Sequence, residues 1–99
     1  MKFMVTWSIE QDKWLPILKK WSAMTAAERA DAGSAVTIIG RWHDSAARKG
    51  VAIVESTDTG ALYRYLGQWN PYMEIDVSPV LDDEESAALA SQVVADHGA

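Results

Sequence analysis

The sequence predicts an α+β domain, with a four-stranded antiparallel sheet carrying its helices on one side. Three observations predict it. Four stretches alternate apolar and polar residues with a period of two, others repeat apolar residues at the three-and-four spacing of a helix, and the two kinds follow one another as strand, helix, strand, strand, helix, strand, helix. Ninety-nine residues suffice for one modest core.

Each element has its own reason. Lys2 to Ile9 sets Phe3, Val5, Trp7 and Ile9 against Lys2, Met4, Thr6 and Ser8, which is a strand with one strongly apolar face. From Asp12, a plausible N-cap, the stripe Trp14, Ile17, Leu18, Trp21 and Met24 marks an amphipathic helix, with Pro16 tolerable close to its first turn. Thr25 to Glu28 has capping-box spacing and Gly33 stands where a left-handed residue is wanted, so a short helix is expected over 26–32. Residues 35–43 then place Val36, Ile38, Gly40 and Trp42 on one side, and Thr37, Ile39, Arg41 and His43 on the other. A polar connection, 44–49, joins them to a return strand, 50–56, in an antiparallel hairpin. Asp58 or Thr57 caps a helix with the inward stripe Ala61, Leu62, Tyr65, Leu66 and Trp69, stopped by Asn70-Pro71. In the last strand, 72–80, Met73, Ile75 and Val77 oppose Glu74, Asp76 and Ser78, and Pro79 marks an edge strand or a strand end. Asp82 to Glu85 crowds four carboxylates into the first turn of an Ala-rich helix, where negative charge is favourable without any functional role.

This order is the split β-α-β pattern of ferredoxin-like sandwiches, with strand order 4-1-3-2. Residues 1–81 form that domain, and 82–99 form a C-terminal helix and tail packed on it or on a dimer mate. The helices are expected over the face holding Phe3, Val5, Trp7, Val36, Ile38 and Ile75. The other face would show Met4, Thr6, Ile39, Arg41, His43, Ala52, Val54, Glu74 and Asp76, which is too apolar for water and too polar for a dry core. A homodimer packing two such faces resolves the conflict. Its interface would use Ile39 and Arg41 of one subunit near Glu74 and Asp76 of the other.

The charge points the same way. The net charge is −5, but residues 1–50 carry eight Lys and Arg against five acids, and residues 51–99 one Arg against nine acids, so the halves attract. An acidic chain is a poor binder of nucleic acid, and no stretch approaches a membrane span. The opening MKFMVTWSI is too short in its apolar run for a signal peptide, so a cytoplasmic protein is expected. Cysteine is absent, which excludes disulfides, thiolate metal sites and thiol nucleophiles.

With the elements placed, F-M-V-T-W in the first strand, I-I-G-R-W-H in the second, A-I-V-E in the third and V-x-P-V-L-D closing the fourth resemble the domain-of-unknown-function 3303 family over Phe3 to Leu81. The resemblance implies a dimeric α+β barrel, an architecture shared with small monooxygenases and isomerases. It carries over no established site.

Candidate chemistry therefore rests on residue type. His43 ends a strand beside Arg41 and Trp42, and reads as a general base or ligand donor with Glu55 as the carboxylate that could orient it. Trp7, Arg41 and Trp42 are the expected ligand-binding residues, while most other indoles fall on core spacing. No nucleotide, zinc-protease or serine-hydrolase motif is present, and Glu74 with Asp76 lacks a third metal ligand, so neither a metal nor a cofactor is expected. Three readings stay open: a dimeric binder of a small organic molecule, a non-catalytic interaction module, and a cofactor-independent enzyme of monooxygenase or isomerase type. Haem on His43 is an analogy with other barrels of this architecture.

Overall fold

In the computed structural model, which describes residues 1–98, the chain runs β1 (Lys2–Ser8), α1 (Gln11–Ala23), α2 (Ala26–Ala30), β2 (Val36–Asp44), β3 (Lys49–Ser56), α3 (Thr59–Gly67), β4 (Glu74–Val80) and α4 (Asp83–Asp96). The strands make one antiparallel sheet in the order β2-β3-β1-β4, which is the order the sequence predicts, read from the other edge.

One face of the sheet builds the core. Phe3, Val5, Val36, Ala52 and Val54 pack against Leu62 and Leu66 of α3 and against Ala32, with Leu62 at 0% and Val54 at 2% exposure. The register makes Phe3 the partner of Val54 and Val5 the partner of Ala52, so these four side chains share the helix side. The expectation that Ala52 and Val54 look away from the helices is thus corrected. The strand begins at Lys49, and its inward series is Gly50, Ala52, Val54 and Ser56.

A second correction has larger consequences. Between Ile38, opposite Val54, and Gly40, opposite Ile53, Ile39 is an extra residue, a β-bulge in β2. Because side chains alternate with a period of two, one inserted residue exchanges the faces of everything after it. Arg41 then pairs with Ala52 and His43 with Gly50, both on the helix side. Trp42 goes to the open face, where it is 61% exposed.

Local signals account for the ends of the elements. Thr25 Oγ1 accepts from the Glu28 N–H (3.1 Å) and Glu28 Oε1 from the Thr25 N–H (2.9 Å), closing the expected capping box. The helix it starts stops at Ala30, where Asp31 turns the chain and accepts from the N–H of Gly33, whose φ is +90°. α1 starts two residues earlier than a cap at Asp12 implies, with Glu10 as N-cap and Gln11 as the first helical residue, so Asp12 lies in the first turn. The hairpin loop between β2 and β3 ends on Arg48 at φ +55°, an uncommon conformation outside glycine. Two bonds to Ile9 hold it there: the Ile9 N–H donates to the Arg48 carbonyl (2.9 Å), and Arg48 Nε donates to the Ile9 carbonyl (3.3 Å). β4 is an edge strand, as Pro79 demands.

α4 stands apart. Asp82 and Glu85 cap it reciprocally, and Lys2 Nζ reaches both carboxylates at 3.3 and 3.5 Å. No residue of this helix is buried, and the chain measures 56 Å in its longest dimension.

Candidate functional site

Between α1, α3 and the inner face of the sheet lies a cavity of about 320 Å3. Native interiors are close-packed, so a space of this size is not what core packing alone produces. It exists because α1 faces the sheet through indoles. Trp14 and Trp21 from α1 line it together with Trp7 from β1 and Trp69, just past the end of α3. Trp7 lies against β3 at Gly50, where a Cβ would come within 2.2 Å of the ring, so a glycine is what admits the indole.

The bulge delivers the polar groups. Arg41 Nη2 donates to the Arg29 carbonyl at the end of α2 (2.7 Å), and its guanidinium rests 4.6 Å from the Trp21 ring. The His43 ring meets Trp7 edge-on at 5.7 Å and Trp21 at 5.3 Å. Partial burial against these indoles, and then the charge of Arg41, push the His43 imidazole below its ordinary pKa. It is neutral near pH 7 and offers one donor and one acceptor. Lys49 and Ser45 stand among the other lining residues.

The predicted site residues divide on the structure. Trp7, Arg41 and His43 come together in the cavity. Glu55 does not join them: it pairs with Lys2 (3.9 Å) on the open face, and five positions along β3 separate it from Gly50, the partner of His43, which is about 17 Å of strand. No dyad of His43 with Glu55 is assembled. Trp42 also lies outside, its ring folded over Gly40. Of the four residues assigned to the dimer interface, Ile39 is exposed and Glu74 and Asp76 lie on the open face with Met4 and Thr6, but Arg41 faces the other way and cannot meet them. Trp14, Trp21 and Trp69 are lining residues that helical spacing had consigned to the core, and Lys49 is one that the sequence placed in the polar connection 44–49. The signal was a count: five indoles are more than this core uses.

The profile of the family described as Domain of unknown function (DUF3303) matches residues 1–94. The chain belongs to that family. No curated protein matches it. In this DUF3303 chain, no three metal-ligating side chains come together among the described residues, and no helix among them is long and apolar enough to cross a membrane. A haem on His43 does not fit either, because the imidazole is wedged between two indoles and the cavity is at the small end of the roughly 300–1,000 Å3 of ligand pockets.

Proposed function

We propose that this DUF3303 protein binds a small organic molecule in the cavity between its helices and its sheet, and that it does so as a homodimer. One observation carries the binding reading: an indole-walled space of about 320 Å3 into which a bulge turns an arginine and a neutral histidine. Apolar walls with a few convergent polar groups are what ligand recognition needs, because the walls supply affinity and the polar groups fix orientation. Cofactor-independent chemistry on the bound molecule would fall to His43, without help from a carboxylate.

The dimer reading is supported by what the helices leave uncovered. Met4, Val51 and Ile53 lie on the open face with the exposed Ile39 and Trp42, and α4 presents Leu89, Val93 and Val94 with no cover from its own chain. A second copy is the occupant that leaves neither surface in water.

The binding test is thermal melting against a panel of aromatic and polyketide-like compounds. A ligand at a hundred times its Kd raises stability by about 2.7 kcal/mol. That shift, reduced in Trp21→Leu, is the expected result. Melting indifferent to every compound would instead favour the interaction module.

A further inference from the structure

We propose that the cavity takes a flat organic anion, an aromatic carboxylate by chemical class, with its ring among the indoles and its carboxylate on Arg41. The proposal rests on the cavity reading above and names the ligand's charge. The chain holds fourteen Asp and Glu, yet none lines the cavity, whereas Arg41 and Lys49 both do. Every ion pair among the described residues is made by Lys2, so no carboxylate among them pairs with Arg41. An acidic chain has thus kept its acids out of one place and set Arg41 there, with Lys49 at the rim.

Arg41 is held for this task on two sides. The Arg29 carbonyl takes one of its N–H donors and the Trp21 ring takes a face, which fixes the plane of the fork and leaves further donors for a planar, two-oxygen acceptor. His43 beside it adds a donor. An uncharged aromatic would fill the same walls but leave the guanidinium without a partner, and a partly buried cation left unpaired is costly.

Calorimetric titration of the full-length protein with naphthoate and with its neutral counterpart naphthalenemethanol, near pH 7.5, separates the possibilities. The wild type is expected to bind naphthoate at least about tenfold more tightly, close to 1.4 kcal/mol. Arg41→Met should bring naphthoate down to the affinity of the alcohol, and Arg41→Lys should restore part of the preference. Equal affinities in the wild type, a comparison that needs no variant to fold, would overturn the anion assignment and leave the cavity reading standing. A preference that survives Arg41→Met overturns the role of Arg41. If neither compound binds, and the indole N–H resonances of Trp7, Trp14, Trp21 and Trp69 do not move, the cavity reading falls and the anion with it.

Discussion

A Cβ at position 50 would lie 2.2 Å from the Trp7 ring and 2.8 Å from the backbone oxygen of Trp42, whereas one at position 40 would meet only the end of the exposed Trp42 side chain at 2.4 Å. The two glycines sit in adjacent strands, but only one neighbour can give way. Gly50→Ala should therefore cost about 1–3 kcal/mol in urea denaturation, and Gly40→Ala less than about 0.5 kcal/mol, because Trp42 can swing into solvent. Equal costs would mean that Trp7 is as free as Trp42. His43 gives a second prediction at this scale. Around it are Trp7 of β1, Trp21 of α1, Arg41 of its own strand and Lys49 of β3, with Asp44 and Asp76 in the neighbouring surface pocket, and burial and Arg41 dominate. Its folded pKa is lowered, so its contribution to stability is complete above the unfolded value of about 6.5 and is lost as pH falls below that towards the folded value. Melting temperature should drop between about pH 7 and pH 5 in the wild type, and drop less in His43→Asn.

At the scale of the element, the bulge decides which strand residues belong to the site. Removing Ile39 sets Gly40 directly after Ile38 and opposite Ile53, so the alternation is unbroken and Arg41 and His43 keep the helix side while Trp42 keeps the open face. The deletion should therefore leave the cavity and its ligand-dependent melting in place, and Ile39→Ala, which keeps the extra residue, should stay within about 0.5 kcal/mol in urea denaturation. The same element marks the boundary of what the sequence disclosed. Strand order, the capping box at Thr25, the inward stripe of α3 and the strand-limiting Pro79 were all legible, because each follows from a local period or a local hydrogen bond; the reciprocal cap of Asp82 and Glu85 lay hidden in a run of four carboxylates. The faces of β2 were not, since alternation assumes an unbroken register, and Ile39 is as good a strand residue in a bulge as out of one. Gly40 was the available signal, an isolated glycine inside a strand pattern. The cavity was legible only as an excess of tryptophan. Which indoles line it depends on how far α1 stands from the sheet, and periodicity does not encode that distance.

For the whole molecule, α4 poses the sharper question, because a fourteen-residue helix that buries nothing in its own chain has little to hold it. Isolated helices shorter than about 12–15 residues are marginal in water, and reciprocal capping at Asp82 and Glu85 steadies only the first turn. The proposed homodimer would give α4 the cover that its own chain does not. Truncation after Leu81 separates the cases by sedimentation and melting. If α4 serves only its own subunit, removing it changes neither association nor melting; if it embraces a partner, association weakens and the melting temperature becomes more dependent on concentration. Ile53→Glu, in the middle of the open face, should dissociate the dimer while leaving the core of Leu62 and Val54 intact. Salt provides an independent check whose sign follows from the bulge. With Arg41 turned inward, the open face holds Lys2 and Lys49 against Asp44, Glu55, Glu74 and Asp76, so two such faces repel. Association should strengthen as ionic strength rises, the reverse of what an Arg41 pairing with Glu74 or Asp76 would give. A chain that stays monomeric at micromolar concentration in both low and high salt would show that neither the open face nor α4 needs a second copy.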